Sequence, residues 1–220
     1  MAETFDCGDA AKRSTGIASA ISALKGGRLV VLPTDTVYGI GADAFNSEAV
    51  AALLAAKGRG RNMPVPVLVG SWRTIDGLVY TVPSSARDLI EAFWPGALSL
   101  VVRQAPSLSW DLGDANGTVM LRMPLHPVAI ELLREVGPMA VSSANMSGQP
   151  AAVTADEARA QLGDLVEVYL DAGPSTKQAA STIVDLTGAA PRVLREGPIA
   201  AAQIAEVLGV EPESLAGQMP

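Results

Sequence analysis

Three basic residues fall within one short, glycine-spaced segment, KGRGR, which begins at Lys57. Guanidinium groups bind phosphate oxygens through paired hydrogen bonds, and a lysine ammonium adds a mobile point charge. Gly58 and Gly60 have no side chain, so backbone amides there can approach a ligand closely. If the segment is extended, Lys57, Arg59 and Arg61 point to one side. The pattern predicts a phosphate-binding loop, and the alternative is a solvated basic turn that pairs with surface acids.

Three other polar segments are expected to lie in loops next to predicted strands or helices. They are PTDTVYGIG (33–41), SSANMSGQP (142–150) and LREGP (194–198). Ligand sites in open α/β sheets collect beyond the strand ends, where loops converge. Hydroxyl and amide side chains such as those of Thr36, Ser143 and Asn145 serve equally well in caps and turns. Taken together, the segments favour an anionic, phosphorylated small molecule as ligand.

The segment RMPLHP combines Arg122 with His126, the only histidine of the chain. Cys7 is the only cysteine, so no internal disulfide can form and a protein-built catalytic zinc site is not expected. A hydrolase that uses Ser143 and His126 is an alternative, although the chain lacks a G-x-S-x-G motif. The chain also lacks the G-x-x-x-x-G-K-[ST] loop, and GIGADA is an incomplete dinucleotide fingerprint.

The overall composition is that of an acidic globular protein. The 220 residues include 16 Lys plus Arg and 23 Asp plus Glu, for a net charge of −7. This charge argues against broad binding to a nucleic-acid backbone but leaves room for a local basic patch. We find neither an apolar run of signal-peptide length nor a stretch of about 18 apolar residues. We therefore expect a cytoplasmic protein with no membrane contact.

Helical and extended patterns alternate along the chain, which predicts an α/β fold with a partly parallel or mixed sheet. Predicted helices are residues 10–25, NSEAVAALLAAK, SSARDLIEAFW, PVAIELLREV, TADEARAQL and AAQIAEVLG. Ser47 is the predicted N-cap of the second helix. Predicted strands are RLVVLP, VPVLV, ALSLVVR, GTVMLR, MAVSSA, STIVDLT and RVLRE. Pro66 favours an edge position for VPVLV. We expect one domain over 1–220, with its core at about 15–208 and loose tails at both ends.

Six segments in order resemble the YrdC/TsaC family of threonylcarbamoyl-AMP synthases. They are PTDTVYGIGADA, KGRGRNMP, TVMLRMPLHPVA, SSANMSG, STIVDLT and VLREGP. The similarity spans roughly residues 15–200 and corresponds to the short, single-domain form. The resemblance implies a twisted mixed β-sheet with helices on its faces and a central basic cavity. It also implies a nucleotidyltransferase that converts L-threonine, bicarbonate and ATP into threonylcarbamoyl-AMP and pyrophosphate.

The resemblance implies two sets of site residues. The implied ATP ligands are Lys57, Arg59, Arg122, Asn145 and Arg195, with Lys57 and Arg59 as the catalytic cations. The implied L-threonine ligands are Thr36, His126, Ser143 and Ser181. Mg²⁺ is expected to bridge the ATP phosphates without a metal site in the protein. The basic loop departs from one common family form, K-G-R-P-x-x-N-P-L-x-x-H, because Gly60, Met63 and Leu68 replace its proline, asparagine and histidine.

The resemblance further implies a place in tRNA modification. The product would pass to a separate transferase that makes threonylcarbamoyladenosine in tRNA. An RNA-binding module without catalysis is the alternative function, because the same basic loop can contact tRNA or double-stranded RNA.

Overall fold

The computed structural model describes residues 2–216. The helices are α1 Ala10–Lys25, α2 Ser47–Ala56, α3 Ser84–Phe93, α4 Pro127–Val136, α5 Ala155–Leu162 and α6 Ala201–Leu208. The strands are β1 Glu3–Asp6, β2 Val30–Leu32, β3 Gly39–Asp43, β4 Val67–Leu68, β5 Leu98–Arg103, β6 Thr118–Arg122, β7 Met139–Ser143, β8 Val168–Asp171, β9 Thr182–Asp185 and β10 Arg192–Arg195. Short 3₁₀ helices cover Trp72–Gly77, Gly163–Leu165 and Pro212–Leu215.

The strands form one ten-stranded sheet in the order β1-β8-β2-β3-β7-β4-β6-β5-β9-β10. Four neighbouring pairs are parallel, namely β1 with β8, β2 with β8, β4 with β6, and β5 with β9. The other neighbours are antiparallel. The predicted α/β class with a mixed sheet and flanking helices is therefore confirmed.

The two faces of the sheet pack against different helices. Buried residues of α2, α3, α5 and α6 join the larger apolar cluster on one face, whereas those of α1 and α4 join the smaller cluster on the other. The strands alternate accordingly, since Val31 belongs to the larger cluster while Val30 and Leu32 belong to the smaller. The core is built mainly from Ala, Val, Leu and Ile, as the scarcity of aromatic residues indicates.

Helix α2 begins one residue earlier than predicted. The N-cap is Asn46, whose side chain accepts a hydrogen bond from the backbone N–H of Ala49, and Ser47 is the first helical residue. An amide oxygen caps a helix N-terminus as well as a serine hydroxyl does.

The prediction of an edge strand after Pro66 is wrong. Strand β4 lies inside the sheet, between β7 and β6. Proline lacks an N–H donor, but its carbonyl still accepts, and the Pro66 oxygen receives a hydrogen bond from the Val141 N–H at 2.8 Å. Because β4 starts after Pro66 and has two residues, the missing donor falls outside its ladder.

The prediction of a loose N-terminal tail is also wrong. Residues 3–6 form β1, which pairs with β8 in parallel, and α1 packs on this strand. Contact there is close, since a Cβ added at Gly16 would lie 2.6 Å from the Phe5 Cβ. At the other end, Leu215 is buried, and residues 217–220 of the predicted tail lie outside the described residues.

Two further strands were not predicted. The segment of β8 was not predicted to be a strand, and β3 begins within PTDTVYGIG, which the sequence predicts to be a loop, and continues to Asp43. Glycine is uncommon in strands, yet Gly39 and Gly41 pair with β7, and the Val141 side chain fills the space next to Gly39.

Within residues 2–216, no helix has the length and apolar character needed to cross a membrane.

Gly70 allows α4 to approach the end of β4. A Cβ at this position would lie 2.8 Å from the backbone nitrogen of Arg134 and 2.9 Å from the carbonyl carbon of Leu133. We expect Gly70→Ala to lower the free energy of unfolding by about 1–3 kcal/mol, because helix backbone cannot yield as a flexible side chain can. Urea denaturation measures the change.

Gly77→Ala is the matched control, because a Cβ at Gly77 meets no heavy atom within 4 Å. Its unfolding free energy should stay within about 0.5 kcal/mol of the wild-type value. Equal stability of the two variants would contradict the tight packing of α4 at Gly70.

Candidate functional site

A cavity lies on the sheet face that carries α1 and α4. Six neighbouring strands, β3, β7, β4, β6, β5 and β9, each contribute a floor residue. These residues are Gly39, Val141, Leu68, Met120, Ser99 and Ile183. The cavity has a volume of about 190 Å³ and opens to solvent.

The cavity walls are cationic and rich in hydroxyl groups. Three arginines, from three separate parts of the chain, line it: Arg59, Arg122 and Arg195. The lining hydroxyl residues are Thr34, Thr36, Tyr38, Ser99, Ser142, Ser143 and Ser181. Among residues 2–216, those that line this cavity include no Asp or Glu. Guanidinium groups without a lining carboxylate suit an anionic ligand.

Arg122, the last residue of β6, is held rigidly on three sides. Its Nη2 donates to Asp35 Oδ1 at 2.6 Å, its Nη1 to Thr36 Oγ1 at 2.8 Å and its Nε to the Gly96 carbonyl at 2.9 Å. Arg122 and Asp35 are both buried, with side-chain exposures of 7 and 4 %. Burial lowers the pKa of Arg122, and the neighbouring Asp35 carboxylate opposes that shift. The ion pair fixes the guanidinium at the cavity.

Arg195, the last residue of β10, is anchored to the segment before β9. Its Nε and Nη2 both donate to the Ser181 carbonyl, at 3.0 and 2.8 Å, and Nη2 also reaches Ser181 Oγ at 3.3 Å. Ser181 Oγ is in turn 2.8 Å from Ser99 Oγ. Burial lowers the pKa of Arg195. These contacts to neutral groups position the charge without neutralising it.

The segment that begins at Lys57 is a turn, so the extended conformation in which its three cations would point to one side does not occur. Gly58 takes a left-handed conformation, with φ of +61°, just after α2. Arg59 reaches the cavity and donates to Ser142 Oγ at 3.1 Å. Arg61 points to solvent, where it pairs with Asp111 at 2.9 Å and Asp114 at 3.3 Å. The three cations therefore do not share one side, and for Arg61 the solvated alternative is correct.

Lys57 is buried behind the cavity wall. Its ammonium donates to the backbone carbonyls of Ser143 and Asn145, the latter at 2.7 Å, and lies 3.5 Å from Asn145 Oδ1. Burial, and to a smaller extent the charge of Arg59, lowers the pKa of Lys57 from 10.5 to about 8. The Asn145 amide donates to the carbonyls of Met146 and Gln149. Neither side chain lines the cavity, in contrast to their predicted role as direct ligands.

His126, predicted as a threonine ligand, does not line the cavity. It is the N-cap residue of α4 and borders a separate depression together with Arg13, Glu131 and Arg134. Burial lowers the pKa of its imidazole. Since Ser143 lines the cavity and His126 does not, the structure gives no support to a Ser143–His126 hydrolase. Leu68, which replaces the family's histidine, forms part of the cavity floor.

Of the nine site residues predicted from the sequence, the structure brings six to one cavity. They are Thr36, Arg59, Arg122, Ser143, Ser181 and Arg195. Sequence reasoning missed Ser99 and Asp35 as contributors. Ser99 interrupts the apolar run of β5, which is a readable signal, whereas the pairing of Asp35 with Arg122 spans 87 positions of sequence and carries no local signal.

Comparisons with known proteins identify sequences and a structure that are similar to this chain. A family profile described as telomere recombination, for Sua5, YciO and YrdC proteins, matches residues 22–197. A putative threonylcarbamoyl-AMP synthase of Mycobacterium tuberculosis is 76 % identical over 217 residues, which is 99 % of this chain and 100 % of the relative. The threonylcarbamoyl-AMP synthase of Bacillus subtilis is 37 % identical over 195 residues, covering 88 % of this chain and 56 % of the relative.

A solved structure has the same fold with a ligand bound. Pyrococcus abyssi Sua5 complexed with L-threonine superposes with a TM-score of 0.88 at 30 % sequence identity. The alignment covers 96 % of this chain and 63 % of that protein, so the chain spans just under two thirds of the archaeal relative.

The buried Asp35–Arg122 pair should stabilise the fold more than the exposed Asp111–Arg61 pair. Asp35→Ala leaves a buried guanidinium without its counter-charge, and we expect it to lower the unfolding free energy by about 3–5 kcal/mol. Asp111→Ala, the matched control, should lower it by less than about 1 kcal/mol because solvent screens that pair. Both are measured by chemical denaturation, and comparable losses would contradict the assigned difference.

Proposed function

The chain belongs to the Sua5/YciO/YrdC family, and from that premise we propose that it is an L-threonylcarbamoyladenylate synthase. The reaction converts L-threonine, bicarbonate and ATP into threonylcarbamoyl-AMP and pyrophosphate. One observation carries the proposal: three guanidinium groups converge on a single cavity whose described lining has no carboxylate. The synthase name of the M. tuberculosis relative, which is 76 % identical across nearly the whole chain, supports it.

The chemistry explains why such a cavity is needed. The threonine amine adds to bicarbonate with loss of water and gives a carbamate. A carbamate oxygen then attacks the α-phosphorus of ATP, and the bond from that phosphorus to the bridging oxygen breaks as pyrophosphate leaves. Carbamate, triphosphate and leaving group are all anionic, so they repel one another in water. Fixed guanidinium groups offset this repulsion and hold the reacting atoms in line.

Each arginine has donors left for substrate. A guanidinium carries five N–H donors, and Arg122 uses three of them in its contacts with Asp35, Thr36 and Gly96. The remaining two face the anionic reactants in our proposal. Arg59 and Arg195 bind triphosphate oxygens, which accept paired hydrogen bonds well.

In our proposal, hydroxyl groups of the cavity bind the amino-acid substrate. Thr36, Ser143 and Ser181 bind L-threonine, and His126 is left out of this set because it lies at another depression. Lys57 acts from behind the wall through its positive charge, and Asn145 acts by holding the turn that presents Ser143.

Mg²⁺ enters with ATP as part of that substrate. Within residues 2–216, no cluster of three His, Cys, Asp or Glu side chains suits a metal ion, and the cavity lining offers only cations and neutral groups. Mg²⁺ prefers oxygen ligands, and phosphate oxygens supply them here. The residues that line the cavity are therefore suited to bind the ATP phosphates, and the phosphates in turn bind Mg²⁺.

The chemistry of the product, threonylcarbamoyl-AMP, indicates which class of enzyme uses it next. Threonylcarbamoyl-AMP is a mixed anhydride, so a transferase that delivers its acyl group to an amine of tRNA is the proposed consumer, and the cytoplasm, which holds tRNA and ATP, is the proposed location. We do not favour an RNA-binding module without catalysis, because Arg59, Arg122 and Arg195 face the cavity and the net charge is −7. In this proposal, any contact with tRNA occurs when threonylcarbamoyl-AMP passes to the transferase.

The reaction itself is the direct test. Purified protein is incubated with ATP, Mg²⁺, bicarbonate and L-threonine, and pyrophosphate release is measured along with the adenylate product. We expect release to require both bicarbonate and threonine. Release that is independent of threonine, or tight salt-sensitive RNA binding without turnover, would overturn the assignment.

Arg59 and Arg61 form a matched pair two positions apart, one at the cavity and one in solvent. We expect Arg59→Ala to lower kcat/KM by about 10²-fold or more, as for other groups that stabilise developing charge. Arg61→Ala should change it less than about 3-fold because its pairs with Asp111 and Asp114 are solvent-screened. Similar losses for the two variants would remove Arg59 from the site.

The pKa of Lys57, about 8, predicts a pH dependence of ATP binding. A bound polyanion favours the charged ammonium, so affinity should be highest below pH 8 and fall as the pH rises through about 8. Titrations from pH 7.5 to 9 avoid phosphate ionisation, which occurs near pH 6. Lys57→Met should bind ATP more weakly with a flatter profile. The control Lys25→Met, at an exposed position, should keep the wild-type profile.

A further inference from the structure

Ser99 places a hydroxyl group on an otherwise apolar part of the cavity floor. Its neighbours in β5, Leu98 and Leu100, point to the larger apolar cluster on the opposite face, as strand alternation requires. Ser99 is 3 % exposed and lines the cavity. A buried hydroxyl needs a hydrogen-bond partner, and that partner is the Ser181 hydroxyl at 2.8 Å.

Ser181 lies between Ser99 and Arg195. Its carbonyl accepts two N–H groups from Arg195, and its hydroxyl accepts a third contact from Arg195 Nη2 at 3.3 Å. Gly197 lets the Arg195 segment approach this closely, because a Cβ there would lie 2.3 Å from the Ala180 carbonyl oxygen and 2.7 Å from the Thr182 nitrogen. The three side chains therefore form one chain of contacts along the cavity wall.

A count of hydroxyl protons shows which hydrogen-bond donor the contacts between Ser99, Ser181 and Arg195 leave free. Two serine hydroxyls carry two protons, and the hydrogen bond between them uses one. The Arg195 guanidinium can only donate, so it cannot take up the other proton. One O–H donor therefore remains at the serine pair, beside a guanidinium, on a wall that faces the cavity. An O–H next to a cation is suited to a carboxylate or carbamate oxygen.

We infer that Ser99 is a positioning residue for the anionic end of the amino-acid substrate. It holds the Ser181 hydroxyl in the orientation in which the pair's free proton reaches a carboxylate or carbamate oxygen beside Arg195. The inference rests on the proposed synthase function and adds to it a residue that acts through Ser181. Ser181 belongs to the hydroxyl groups that bind L-threonine in the proposed function, so this donor serves that substrate, whereas Arg195 binds the triphosphate.

The test compares three substitutions at Ser99 in the full-length protein. KM for L-threonine, KM for ATP and kcat are measured for Ser99→Ala, Ser99→Thr and Ser99→Val. Thr and Val have nearly the same shape, and Thr keeps the hydroxyl. We expect the KM for threonine to rise about 10-fold in the Ala and Val variants, as the loss of one hydrogen bond to a charged group implies. Ser99→Thr should stay within about 3-fold of wild type, and KM for ATP should change less than about 2-fold in all three.

Equal kinetics of Ser99→Thr and Ser99→Val would show that Ser99 only packs, and would overturn the inference. A rise in KM for ATP that matches the rise for threonine would overturn it as well. Thermal denaturation of each variant identifies any that fail to fold, and the Thr–Val comparison holds packing constant in those that do.

A double-mutant cycle tests whether Ser99 acts through Ser181. Ser99→Ala in a Ser181→Ala background should raise the KM for threonine less than about 2-fold further, because the hydroxyl that Ser99 positions is already gone. Additive effects would contradict the coupling. If the wild-type protein shows no threonine-dependent turnover, the proposed function fails; if the wild type turns over and the cycle is additive, only the role of Ser99 fails.

Discussion

Positive charge held inside an acidic protein is the constraint on which this cavity depends. Burying a cation is costly unless its donors are satisfied. Lys57, which is buried, donates to the neutral carbonyl groups of Ser143 and Asn145, and the more exposed Arg195 likewise donates to the carbonyl of Ser181. A carbonyl satisfies a donor without cancelling its charge. The cavity therefore keeps a net positive character that an anionic ligand can use.

Arg122 differs from Lys57 and Arg195 because its charge is paired with a carboxylate. It is the most deeply buried of the three cavity arginines, and it has a carboxylate partner, Asp35, outside the cavity lining. The ion pair offsets the desolvation of the guanidinium and fixes its orientation, and hydrogen bonds to Thr36 and Gly96 complete the arrangement.

The sheet supplies the geometry on which these charges act. The floor takes one residue from each of six adjacent strands, including β4, which follows a proline and is only two residues long. Close backbone approach at Gly197 brings the segment after β10 against the residues just before β9. A floor of mainly apolar side chains under cationic walls also keeps the local dielectric low, which strengthens each charge contact.

The sequence by itself determined the α/β class, most of the helices and strands, and the motif order that places the chain in its family. Periodicity and caps act over a few residues, so they can be read from the chain directly. It did not determine the direction of the side chains in KGRGR. Only the turn at Gly58 sends Arg59 to the cavity and leaves Arg61 in solvent. Likewise, the partnership of Asp35 with Arg122, the depth of Lys57 and the separation of His126 from the cavity are set by contacts between distant segments, and tertiary packing alone decides them.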